Sequence, residues 1–140
     1  SPAQAFAVLS DGRLLGPWVV GASRIRDVDK SWPAVGAGAH HSVGTWPLLL
    51  NDTTTVEKLE PDRTLQLRAR AWPAGEAQVL ITVEPRAAGC RVTIAEDAVK
   101  GPGMIIPKPL RSMGLHWRNV ESLRRLAYLA ENRTSSVSTR

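Results

Sequence analysis

Cysteine is nearly absent. Cys90 is the only one in 140 residues, so no disulfide can form within the chain. That suits a reducing compartment, and a cytoplasmic protein is the expectation. Long apolar runs are missing too. The longest candidates, such as Trp46 to Leu50, are strand-sized, far short of the roughly 18–20 residues of a membrane-spanning helix. Ser1-Pro2 does not open a basic and then apolar leader. Aromatics are scarce at 5%, with one Phe and one Tyr beside five Trp. That is too few for a surface that stacks the bases of single-stranded nucleic acid. Three histidines and one cysteine, at unrelated spacings, offer no set of convergent ligands. Neither a metal nor another cofactor is expected.

Hydrophobic residues at 43% and charged residues at 22% are ordinary for a folded chain of this length. The net charge of +5 and the pI near 10.1 raise nucleic acid as a partner. The cations are scattered, however. Arg24 and Arg26, then Arg68 and Arg70, alternate with apolar residues as the wet face of a strand does, and Arg111, Arg118, Arg124 and Arg125 decorate a helix. No basic groove emerges, so nucleic-acid binding is not expected. Cys90 reads as a small residue where a hairpin turn enters a strand rather than as a nucleophile.

Ser1-Pro2 has the form of an N-cap followed by proline in the first helical turn, and a second short turn follows through Leu14, Leu15 and Trp18. Strands are predicted from Val19 to Val28, from Ala39 to Trp46, and after Pro47 from Leu48 to Leu59. Thr64 to Trp72 alternates, with Leu65, Leu67, Ala69 and Ala71 on one face. Val79, Ile81 and Val83 alternate next; Pro85 to Gly89 forms a turn, and Val92 and Ile94 continue the pattern. Short strands joined by tight turns make an antiparallel meander with one buried face. After Gly101-Pro102-Gly103 the period changes. Met113, Trp117, Val120, Leu123, Ala127 and Ala130 recur at three- and four-residue steps, with Arg118 among the residues given to the polar side. A helix of about six turns is predicted from near Pro109 to near Asn132. One α+β domain over residues 1–132 and a flexible tail over 133–140 follow.

Two short helices, a run of antiparallel strands and one long final helix are in the order of the helix-grip fold. The segments Trp18-Val19-Val20-Gly21-Ala22, His40-His41-Ser42-Val43-Gly44, Ala71-Trp72-Pro73-Ala74-Gly75-Glu76, and Gly101-Pro102-Gly103 leading to Arg118-Asn119-Val120-Glu121-Ser122-Leu123 sharpen the match. They resemble a bacterial, polyketide cyclase/dehydrase-like branch of the SRPBCC superfamily, which includes START domains and birch-pollen-allergen-like proteins. The resemblance implies a curved antiparallel sheet wrapped around the long C-terminal helix, with an apolar cavity between them. It also implies a strand ahead of the first short helix, which has no counterpart among these residues. An unpaired sheet edge and a more open cavity are the expected consequences.

Strand parity selects the polar residues that face inward. Ala39, His41 and Val43 share a face; so do Val92, Ile94 and Glu96; and Leu50, Asp52, Thr54 and Val56 do so unless a bulge intervenes. His41 near Asp52 or Glu96 is therefore a candidate general acid/base. The plainer reading, a hydrogen-bonded histidine that shapes the cavity or ties two strands together, carries more weight. His116 reads as a surface residue. Trp18, Trp46, Trp72 and Trp117 fall at element ends or on inward faces; with His41, Met104, Ile106 and Met113 they are the candidate cavity lining. The long helix's N-terminal end is the expected lid. A hydrophobic small molecule, lipid- or polyketide-like, is the leading partner. A polyketide cyclase/dehydratase-type enzyme is the alternative, and a regulatory module comes third. That third reading rests on the basic charge and the open edge, and a homodimer is a further candidate assembly.

Overall fold

Ser1 starts the first helix, α1 (Pro2–Leu9), through a capping box: its hydroxyl accepts from Gln4 N at 3.3 Å while Gln4 Oε1 accepts from the Ser1 amine at 2.6 Å. In the computed structural model, which describes residues 1–43, 47, 50–71 and 75–133, a 3-10 turn (Gly12–Leu14) follows, opened by Asp11, and then α2 (Leu15–Trp18). The strands are β1 (Ala22–Val28), β2 (Gly38–Val43), β3 (Leu50–Glu60), β4 (Thr64–Ala71), β5 (Gly75–Arg86) and β6 (Gly89–Lys100). A second 3-10 turn (Pro102–Ile105) leads into the long helix α3 (Lys108–Asn132).

All six strands pair antiparallel with their sequence neighbours, in the order β1 to β6. Gly75 lets β5 begin close against the end of β6. Its φ is +113°, and a Cβ there would lie 1.8 Å from the Lys100 carbonyl oxygen. One element starts later than its sequence suggested. Val19 is extended and caps α2 through its N–H to Leu15 O, so β1 begins at Ala22. The last hairpin is tighter than predicted, because β5 runs on through Pro85 to Arg86 and only residues 87 and 88 turn.

A bulge near the end of β3 changes its parity. Val56 pairs with Leu67 and Lys58 with Gln66, leaving Glu57 as the extra residue. Up to that point Asp52, Thr54 and Val56 face inward, as alternation requires. Beyond it Leu59 turns back to the core. The core lies between the inner sheet face, α1 and the C-terminal half of α3. Leu9, Val56, Leu65, Ile81 and Leu126 are each at most 1% exposed. Complete burial of each such side chain contributes roughly 1.5–3 kcal/mol.

α3 is set at a different rotation from the one its apolar stripe suggested. Ser122, Leu126 and Ala130 are buried, and Leu123 and Leu129 pack partly against the core. Met113 and Trp117 instead face away, 72% and 71% exposed. Arg118, assigned to the wet side from sequence, turns toward the sheet because the Glu96 carboxylate, whose side chain is 9% exposed, needs a cation there; the two form an ion pair. Ser122 Oγ adds a second tie, accepting from Val20 N at 3.1 Å.

Candidate functional site

Three elements meet at one end of the inner sheet face. α2 and the residues after it supply Leu15, Trp18 and Val19. The sheet supplies His41, Thr54, Leu67, Val79, Ile94 and Glu96. α3 supplies Arg118, Asn119 and Ser122. They enclose a cavity of about 160 Å³. Its lining is mostly aliphatic and aromatic, with polar groups from β2, β3, β4, β6 and α3. Ala69 and Ala77, small residues of β4 and β5, also line it.

His41 is placed by cross-strand register. It pairs with Asp52 on β3, and its Nε2 lies 2.9 Å from Thr54 Oγ1. All three residues are 7% exposed. Burial pushes the imidazole below its usual pKa, and the Asp52 carboxylate opposes that shift without cancelling it. The ring is therefore neutral at neutral pH. Its Nδ1 has no hydrogen-bond partner, nor has the indole N–H of Trp18, and both atoms are buried. Two such atoms beside one cavity are unusual, since a buried polar group left unpaired costs roughly 1–3 kcal/mol. His40 points the other way, toward Thr53 Oγ1 at 3.1 Å and Asp29 at 3.6 Å.

Two of the larger concavities are less suited to chemistry. A crevice of about 280 Å³ between α1, the start of β6 and α3 contains Cys90 but brings no cluster of titratable groups to it. A groove of about 680 Å³ lies between β6 and α3, with Arg91, Asp97 and His116, all exposed, along it. Among the described residues, no three His, Cys, Asp or Glu side chains are grouped to hold a metal ion.

The family described as polyketide cyclase / dehydrase and lipid transport matches residues 1–131. The chain belongs to that family. Solved structures agree on the fold. Protein NE0264 of Nitrosomonas europaea superposes with a TM-score of 0.72 at 18% identity, over 96% of this chain and 89% of its own. Ara h 8.0201 gives 0.65 at 12% identity, over 93% and 90%. The di-domain ARO/CYC StfQ of the steffimycin biosynthetic pathway gives 0.72 at 11% identity, over 96% of this chain and 48% of its own. No curated protein matches the sequence. The six-stranded curved sheet with its long C-terminal helix is thus the helix-grip fold of the SRPBCC superfamily, and among the described residues no helix is long and apolar enough to cross a membrane.

Within that fold the sequence-derived candidates separate. Trp18, His41 and Glu96 border the cavity, and Asp52 is the cross-strand partner of His41 outside the lining. Met104, Ile106, Met113 and Trp117 are 50–72% exposed and stand outside the lining. Trp46 and Trp72 lie outside the described residues, as do 134–140 of the tail. Sequence reasoning missed Arg118, Asn119 and Ser122. A signal was available, because 118, 122 and 126 are successive steps of four along one side of a helix. Anchoring the stripe on Leu126 instead of Met113 would have found them.

Proposed function

We propose that this protein binds a hydrophobic small molecule with a polar end, held in the cavity between α2, the inner sheet face and α3. The observation that carries the proposal is the cavity's mixed chemistry: the apolar side chains of Leu67, Val79 and Ile94 line it together with the polar groups of His41, Thr54 and Glu96. An apolar cavity of roughly 150 Å³ holds benzene. The 160 Å³ here therefore accepts one ring, or one end of a longer lipid- or polyketide-like chain that leaves through the mouth. The family's description names both kinds of chemistry, and StfQ acts in a biosynthetic pathway. We take residues 1–132 as the domain that carries this site, working in a reducing compartment such as the cytoplasm.

Native mass spectrometry of protein purified from its own host tests this directly, through a co-purified mass that denaturation releases. Ala77→Leu, which fills the cavity, is expected to remove that mass and to abolish the change in tryptophan emission caused by 2-naphthol or lauric acid. If the wild-type protein carries no such mass and neither probe alters its emission, the proposal is wrong.

One observation favours catalysis as a second reading. A neutral His41, backed by Asp52, shares the cavity with Glu96 and can take up a proton from a bound ligand. A cyclase or dehydratase would use that imidazole as base, with the Arg118–Glu96 pair steadying an oxygen of the ligand. His41→Gln separates the two readings. Loss of turnover with binding retained supports an enzyme, and loss of binding alone supports a carrier.

A further inference from the structure

The N-terminal half of α3 and the turn before it expose large apolar side chains. In the turn before the helix Met104, Ile105 and Ile106 are 55%, 84% and 50% exposed, and Leu110, Met113 and Trp117 follow at 65%, 72% and 71%. Steps of three and four residues put Leu110, Met113 and Trp117 along one side of α3, opposite the side that buries Ser122, Leu126 and Ala130. A run of exposed large side chains this long marks an interaction surface.

Charge says what that surface meets. From residue 98 to residue 120 the sequence holds Lys100, Lys108, Arg111 and Arg118, and no carboxylate. Arg118 is committed to Glu96, whereas Lys100 and Lys108 are exposed on either side of the apolar turn. A second copy docking on this face would set cations against cations. An anionic surface meets both features. Among the described residues no helix is long and apolar enough to cross a bilayer, so the fitting partner is a membrane surface on which the helix lies flat. Trp117 suits that depth, since indoles favour the headgroup boundary.

We propose that the Pro102–Ile105 turn and the N-terminal half of α3 dock this protein on an anionic lipid bilayer. Ile105, Leu110, Met113 and Trp117 enter the headgroup boundary, while Lys100 and Lys108 meet lipid phosphates. The site is separate from the cavity and stands whether or not the cavity is occupied.

Co-sedimentation of the full chain tests it, using phosphatidylcholine vesicles with and without about 30% phosphatidylglycerol. Binding is expected to the anionic vesicles only and to weaken as salt screens the lysines. Ile105→Asp and Met113→Asp, both at exposed positions, are each expected to lower it about tenfold or more with the melting temperature unchanged. Brominated acyl chains are expected to quench part of the wild-type tryptophan emission, a readout that needs no variant. The proposal is overturned by equal binding to both vesicle types, by no binding, by variants that bind like wild type, or by an absence of quenching. A dimer that Ile105→Asp dissociates would also overturn it, assigning the face to a second copy.

Discussion

Two polar clusters share strand β3 and face opposite ways. On the outer face Glu57, the bulge residue, accepts hydrogen bonds from Gln66 Nε2, Arg68 Nε and Gln78 Nε2, and Arg68 in turn approaches Glu76 at 3.7 Å. On the inner face His41 has one partner, Thr54, and an idle Nδ1, with the idle indole N–H of Trp18 on the same cavity. The outer cluster uses its central carboxylate fully, as a network built for stability does. The inner cluster keeps polar capacity that folding does not use. Unspent capacity in a buried place is where a binding function leaves its mark on a sequence otherwise selected for folding.

Breaking the outer cluster carries the largest expected effect. Its three donors hold the Glu57 carboxyl at about 2, against an ordinary 4.5. A depressed carboxyl stabilises the fold above its unfolded pKa, and that contribution is lost as pH falls toward 2. Because 25% of the side-chain surface meets water, screening reduces the gain below what the shift alone implies. Glu57→Gln is expected to cost about 1–2 kcal/mol in urea melts at pH 7. The difference from wild type should shrink steadily below pH 4.5. A gap that stayed constant down to pH 2 would mean that the carboxylate's charge contributes nothing.

The inner cluster acts in a different window. His41 is held below its usual 6.5 by burial, so the unfolded chain takes up the proton at a higher pH than the folded protein does. Stability from this source is complete above pH 6.5 and declines as pH falls through that value. Wild type is thus expected to weaken in two acid steps, the first from inside the sheet and the second from outside. His41→Asn removes the first and leaves the second. Melts between pH 7.5 and 5 that fall equally for variant and wild type would show that the imidazole does not titrate there.

The two clusters were not equally legible. Alternation around Ala39 and Val43 put His41 inside correctly, because a strand's period of two leaves only two choices and the neighbours are small and apolar. The Ser1-Pro2 helix start was legible for a similar reason: a cap is a local arrangement of a few atoms. Glu57 was not. It acts because β3 carries an extra residue there, and a bulge is decided by the partner strand's register, which no local pattern encodes. Arg118 was missed through a different ambiguity. α3 offers apolar residues on two sides, and the side that packs is chosen by the buried Glu96 and by Leu126, both visible only after folding. The pairing of His41 with Thr54, two residues past its Cα partner Asp52, likewise depends on register.

The smallest expected effect divides structure from function most cleanly. If His41 and Thr54 serve to fasten β2 to β3, replacing both with apolar side chains should weaken the fold. If they serve a ligand, the replacement removes an idle Nδ1 and a buried hydroxyl together, and exchanging both partners of a buried hydrogen bond for apolar groups is close to neutral. His41→Leu with Thr54→Val is therefore expected to shift stability at pH 8 by less than about 1 kcal/mol, in the stabilising direction. The same double variant should bind 2-naphthol more weakly than wild type while still binding naphthalene, which lacks the hydroxyl. A loss of about 3 kcal/mol would instead assign the pair to holding the strands. The unpaired nitrogen of His41 would then be a local cost of the fold rather than a place kept for a ligand.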